Sequence, residues 1–262
     1  MHWVIQDNLY QENGYTALAE ALLRLEIPHD VVKVVPFSED LSEDQQTIPH
    51  IIPTGLVMVC GSITLAKIAK KRKWTPGSFL NNNYDYRVWK AEYGDNLLNN
   101  EACVCRFADV QPIWSPFFIR PIFDSKSFNG TVTDWDSFVE WQTKVIDLHD
   151  TYTSLCKDTM ILYGPIKKIQ KEYRFFVVDN QIVGQSVYKI GNRVIYDSLV
   201  DDDAIFFAKT MINMWQPSRA FVIDVAMTTD GFRIVEINCI NSAGFYAIDV
   251  MKFVSAIEAM KF

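Results

Sequence analysis

Histidine is scarce in this chain of 262 residues: only His2, His29, His50 and His149 occur, and no spacing among them gathers a site. A histidine-based triad or a zinc enzyme is therefore a poor starting reading. The five cysteines are odd in number and scattered. Cys103 and Cys105 alternate in a strand-like run without partner ligands, so reduced core thiols in a cytoplasmic protein are expected. Positive charge is also short, since 25 Lys and Arg stand against 32 Asp and Glu. The net charge of −7 and pI near 5.1 argue against a protein built to grip nucleic acid. No apolar run nears the roughly 20 residues of a membrane span. The opening MHWVIQDNLYQENG lacks a basic region followed by an apolar stretch, so neither a membrane nor a signal peptide is expected. Glycine-rich phosphate loops are missing too. Cys60-Gly61-Ser62, at a strand-to-helix turn, has no further glycines and reads as a simple tight turn.

What is present is a globular composition, 49% hydrophobic and 22% charged, with room for one large domain or two small ones. The most informative stretch is SRAFVIDVAMTTDGFRIVEINCINSAGFY, residues 218–246. It reads as two strands joined by a hairpin at Thr229-Asp230-Gly231, with glycine suited to the left-handed position of the turn. A loop centred on Asp230 sets Ala226 against Ile234 and Asp224 against Glu236. Alternation then places Asp224, Glu236 and Asn238 on one face, with Val222, Ala226 and Ile234. Phe221, Ile223, Val225, Val235 and Ile237 form the core face. Two carboxylates directly opposite, with Cβ atoms about 5 Å apart, destabilise a sheet unless compensated. A shared proton, a Lys or Arg partner, or a divalent cation would each do so. Two carboxylates and an amide oxygen suit Mg²⁺, which keeps waters and borrows phosphate oxygens. Spacing alone leaves these alternatives open.

In chain order, strands are predicted over 2–6, 30–37 and 56–61, with helices over 14–25, capped by Asn13, and 62–73, ending in a basic turn that complements the helix dipole. This β-α-β-β-α beginning makes a small α/β domain. The polar stretch 75–86, with Pro76, Gly77 and three asparagines, marks a boundary, giving domains of 1–75 and 76–262. A short helix near 87–93 and a strand over 102–107 follow. Strand 117–119 delivers Arg120, held extended before Pro121. The loop FDSKSFNG then offers Lys126 and backbone amides to a polyphosphate, although an ordinary surface loop fits it as well. Helix 135–145 is read as burying Trp135, Phe138, Val139 and Trp141. Strand 160–166 bends at Gly164-Pro165 into hairpin 171–191, where Glu172 and Arg174 share a face, as a salt-bridged pair also would. Asp201–Asp203 cap a helix to Trp215, and the last helix spans 247–261.

The order of these features resembles the ATP-grasp superfamily: a small α/β start, a cation before Pro, a lysine-bearing loop, a hinge strand, an E-x-R hairpin and a D…E-x-N sheet end. The likeness covers roughly residues 80–262, with 1–75 similar to the smaller domain that commonly precedes it. Arg120, where most members carry lysine, is similar to a clade marked by arginines and common in bacterial and phage genomes. The implied fold is α+β, two lobes around a nucleotide cleft. The implied ligands are ATP and Mg²⁺. By resemblance, Arg120 and Lys126 contact phosphates, Leu162-Tyr163-Gly164 form the hinge beside adenine, and Glu172 meets ribose. Arg174 faces phosphate or an acidic substrate. Asp224, Glu236 and Asn238 hold Mg²⁺, while Asn241, Ser242 and Gly244 meet the γ-phosphate or the acceptor carboxylate. A guanidinium keeps the charge of lysine but can fork two oxygens. The implied activity is an ATP-dependent carboxylate–amine ligase, working on an amino acid or peptide through an acyl phosphate. The alternatives are a phosphotransferase without amide formation, a silent nucleotide-binding or interaction module, and a structural protein whose acids share a proton.

Overall fold

The computed structural model describes residues 1–6, 14–38, 40–41, 55–123, 127–147 and 153–262, arranged on three sheets. The first sheet takes β1 (His2–Gln6), β2 (His29–Val32), β3 (Val57–Cys60) and β4 (Pro76–Gly77), all parallel in the order β2-β1-β3-β4. Its inner strand β3 carries the short apolar run VMVC, buried along its whole length, as a parallel strand covered on both faces requires. Helix α1 (Gly14–Arg24) buries Leu18 and Leu22. Helix α2 (Ile63–Lys71) starts where Ser62 Oγ accepts from the Leu65 amide and ends on Lys70 and Lys71, cations at the negative end of the dipole. Helix α1 ends one residue before its sequence pattern, α2 lies inside the expected 62–73, and β2 stops well short of the expected end at 37. Asn13 lies outside the described residues.

The second sheet is antiparallel, in the order β5-β8-β6-β7. Its strands are β5 (Cys103–Arg106), β6 (Phe117–Pro121), β7 (Thr131–Thr133) and β8 (Met160–Pro165). Before it comes α3 (Tyr86–Tyr93), capped by Asp85, and against it packs α4 (Trp135–Asp147). Phe107, Phe117, Phe138 and Trp141 meet there edge to face. Val139 is 38% exposed and so stands outside this cluster, contrary to its place in the sequence reading. Cys103 and Cys105 both lie against the cluster, and all five cysteines are free thiols.

The third sheet is also antiparallel, in the order β11-β10-β9-β12-β13. It holds β9 (Lys171–Val178), β10 (Gln181–Ile190), β11 (Arg193–Asp197), β12 (Ala220–Thr228) and β13 (Gly231–Asn238), with α5 (Asp202–Met214) between β11 and β12 and α6 (Val250–Glu258) at the end. Helix α6 is shorter than the predicted 247–261. Asp201 precedes α5 without capping it through its side chain; instead its carboxylate accepts from Lys171 at 2.8 Å and from the Tyr173 hydroxyl.

The β12–β13 register corrects one expectation. The turn has two residues, since Thr228 pairs with Gly231, whose φ of +98° favours glycine. Ala226 therefore faces Arg233 rather than Ile234. A bulge between Asp224 and Val225 on one strand and Glu236 and Ile234 on the other leaves Val235 unpaired, and beyond it Asp224 faces Glu236 as the sequence implies. The bulge turns Ile234 into the core in place of Val235.

One face of the third sheet packs Tyr173, Phe175, Val177, Phe221, Ile223 and Val225 into a core shared with α3 and α5. The other face is divided. Phe176, Val178 and Val222 are covered by α1, α6 and the first sheet, with Phe176, Phe245 and Phe253 at 5.3–5.6 Å centroid spacing. One step along the same strands, Arg174 replaces Phe176 and Asp224 replaces Val222. The apolar packing stops there and the charged site begins.

Candidate active site

Asp224 and Glu236 face each other across β12 and β13, and Arg174 faces Asp224 from β9. Arg174 forks the acid: Nε donates to Oδ1 at 2.8 Å and Nη2 to Oδ2 at 2.7 Å. Its Nη1 donates to the Gly244 carbonyl at 3.3 Å, and its guanidinium carbon lies 4.6 Å from the Tyr246 ring centre. Tyr188 stands at 5.6 Å from the same carbon, so aromatic faces and backbone fix the fork. Arg120 reaches in from β6 of the second sheet, its Nη1 2.6 Å from Glu236 Oε2. Asn238 Nδ2 donates to Glu236 Oε1 at 2.7 Å. Five residues named from the sequence, on two sheets, thus form one charged and polar set, Arg120, Arg174, Asp224, Glu236 and Asn238, in which Arg174 Nη2 lies 3.8 Å from Glu236 Oε1.

Asp224 is wholly buried, and burial pushes its carboxyl up to about 7 against the pull of Arg174, with Glu236 adding to the rise. Burial likewise raises the Tyr188 hydroxyl well above its ordinary value and Tyr246 to about 12. Both tyrosines therefore stay neutral beside the arginine.

Glu172 sits two residues before Arg174 on β9, but with other partners. Tyr188 donates to its Oε2 at 2.8 Å and Lys189 Nζ lies 3.0 Å from its Oε1. Leu162 is the register partner of Arg120, its side chain buried in the core. Tyr163 points to the opposite face, packing on Trp114 and Phe117, and its hydroxyl accepts from the Gln111 amide at 3.3 Å. Both lie inside a strand paired on both edges. Asn241 is fully buried and joins sheets rather than lobes. Its Nδ2 donates to the carbonyls of Gly61 (2.7 Å) and Ser62 (3.1 Å), and its own carbonyl accepts from Gly61 and from Tyr15. Lys126 lies outside the described residues.

Sequence reasoning missed Tyr188, Tyr246 and Trp89, whose ring centre is 5.9 Å from the Arg120 guanidinium carbon. Tyr188 follows Ser186 by two on β10, so alternation could have found it. Tyr246 belongs to a loop with a left-handed φ of +51°, and nothing in the sequence marks it.

Among the described residues no group of three or more His, Cys, Asp or Glu is gathered as a metal site. The donor set is instead two opposed carboxylates and an amide. These are hard oxygen ligands, few in number, and fit a cation that brings its remaining ligands as water and phosphate.

Two antiparallel sheets, one offering a cation across to an acid pair on the other, define the class of ATP-grasp folds. A sequence profile for the ATP-grasp domain, R-2-K clade family 3, matches residues 25–257, and the chain belongs to that family. Solved structures agree on the fold. D-cycloserine synthetase is 12% identical with a TM-score of 0.60, covering 98% of each chain. D-alanine–D-alanine ligase from Bacillus anthracis is 9% identical with a TM-score of 0.61, covering 98% of this chain and 92% of that one. L-amino acid ligase from Bacillus licheniformis is 10% identical with a TM-score of 0.63, covering 100% of this chain and 76% of that one. No curated protein sequence matches the chain. No helix among the described residues is long and apolar enough to cross a membrane.

Proposed function

We propose that the protein is an ATP-dependent, Mg²⁺-requiring carboxylate–amine ligase acting on an amino acid or peptide in the cytoplasm, with residues 1–75 and 76–262 as its two modules. The observation that carries this reading is the Asp224–Glu236 pair, opposed in one sheet and met by Arg120 from the other. Family membership supports it, and so do the ligases of like fold, which join amino-acid substrates by their names.

In this reading Asp224, Glu236 and Asn238 hold the metal, which when bound neutralises phosphate charge. Arg120 and Lys126 orient the phosphates, with Leu162, the register partner of Arg120, on the adenine side and Glu172 toward the ribose; the Tyr163 ring, turned to the opposite face, adds no contact in this reading. Arg174, fixed by Tyr246 and Gly244, steadies the charge that develops as a substrate carboxylate attacks the γ-phosphate. Asn241 holds the loop that carries Ser242 and Gly244 toward the acceptor. An amine then displaces phosphate from the acyl phosphate to give the amide. No side-chain nucleophile is needed; positioning and electrostatics supply the rate.

Calorimetric titration with AMP-PNP, in Mg²⁺ and then in EDTA, tests the reading. Metal-dependent binding supports it and directs a screen of carboxylate and amine pairs for ADP release. Absence of binding at millimolar nucleotide sinks it. Glu236→Gln is expected to weaken Mg²⁺–nucleotide binding about tenfold or more while leaving the fold intact; unchanged affinity removes Glu236 from the metal set.

A further inference from the structure

The two acids assigned to the metal are each already held by a guanidinium. Asp224 engages both oxygens in the Arg174 fork, and Glu236 turns Oε2 to Arg120 at 2.6 Å and Oε1 to Asn238, with Arg174 Nη2 farther off at 3.8 Å from that Oε1. The two guanidinium charges stand against at most two negative ones, so a bare divalent cation meets no net attraction and two cations at close range. The two arginines are not equivalent. Arg174 lies in the same sheet as the acids and is fixed by Gly244, Tyr188 and Tyr246. Arg120 crosses from another sheet, and its partner Glu236 has a side chain 26% exposed, against 0% for Asp224. Its further contacts are the Pro121 carbonyl at 3.3 Å and the Trp89 face. The releasable link is Arg120–Glu236.

We propose that Arg120 is a resident counter-ion of the metal ligands. Without nucleotide it occupies Glu236 and keeps a divalent cation out. When a nucleotide enters, Arg120 transfers to phosphate oxygens and frees the carboxylate for the metal. Metal and nucleotide therefore bind as one event, and the same side chain latches the two sheets together while the cleft is empty. This rests on the ligase reading for the identity of the metal ligands.

The test is Mn²⁺ binding followed by electron paramagnetic resonance on the full chain, with and without AMP-PNP. Wild type is expected to bind Mn²⁺ about tenfold or more tightly when AMP-PNP is present. Arg120→Gln is expected to change two affinities in opposite directions. Mn²⁺ alone binds about tenfold tighter, and AMP-PNP with Mn²⁺ binds about tenfold weaker. The double variant Arg120→Gln/Glu236→Gln loses the gain, and Arg120→Lys, which keeps the charge, never shows it. Equal Mn²⁺ affinity in wild type with and without AMP-PNP overturns the inference, and this needs no variant to fold. Metal-dependent nucleotide binding by wild type, with no Mn²⁺ gain in Arg120→Gln, overturns the inference alone. Failure of wild type to bind AMP-PNP under any metal condition overturns the ligase reading as well.

Discussion

Asp224 is the residue on which the site's electrostatics turn. Its folded value of about 7 lies above the ordinary 3.8, so the folded state keeps the proton between those limits while the unfolded chain has lost it. The sign follows. The contribution of this group to stability is fully present at low pH and is lost as pH rises toward 7, by on the order of 1.4 kcal/mol per unit. Denaturant unfolding without nucleotide or metal, at pH 5 and 8, is expected to show wild type losing ground relative to Asp224→Asn as pH rises. A difference independent of pH would show that Asp224 titrates normally. Arg174→Met removes the one fork on a wholly buried acid and is expected to cost about 3–5 kcal/mol at pH 8, where the acid is charged, and less at pH 6. A loss of equal size at both pH values would contradict this. At this scale the sequence is informative because ligand chemistry needs particular residue types. Asp, Glu, Asn and Arg at the right spacing stand out, whereas Tyr246 and Trp89 serve through their faces and look like any core aromatic.

The β12–β13 hairpin shows what an element's sequence does and does not carry. Parity of the strand places Asp224 opposite Glu236, and the structure does the same although the turn is one residue tighter than expected. The bulge at Val235 cancels the difference, and no residue type announces it. That is why Ile234 and Val235 exchange faces while the acids do not. Elsewhere α2, α3 and α4 lie where the sequence places helices, since that signal is local. Packing between elements is less legible. Gly184 on β10 sits against Ile248, where an added Cβ would lie 3.0 Å from two of its side-chain atoms. Ile248 is two residues after Tyr246, so this contact also sets the loop that covers Arg174. Gly184→Ala is expected to destabilise the fold by about 1–3 kcal/mol, measured by denaturant unfolding. A neutral result would mean the loop yields freely.

Across the whole molecule, the small parallel sheet is wired to the third sheet by polar bonds as well as apolar packing. The Asn241 side chain ties the loop after β13 to the β3–α2 turn through two carbonyls, Gly61 and Ser62. Asn241→Ala leaves those acceptors buried and is expected to cost about 1–3 kcal/mol, read as a lower midpoint in a single cooperative transition. Two separated transitions would instead show that the modules unfold independently. Composition sets a boundary at residue 75, yet one hydrophobic core takes side chains from both sides of it, Trp3, Leu18 and Met58 with Phe176, Val222 and Phe253. Composition reports local polarity, and a core assembled from distant segments leaves no trace in any one window.

That shared core has a consequence for the order of folding. Helix α1 packs on α6, and the Trp3 indole donates to Glu258 at 2.6 Å, across 255 residues of sequence. Contacts so far apart close late, because the entropy of the intervening loop must be met before they form. Until α6 docks, Trp3, Leu18 and Phe176 lack part of their cover, and the partly folded protein presents a greasy surface open to misassociation.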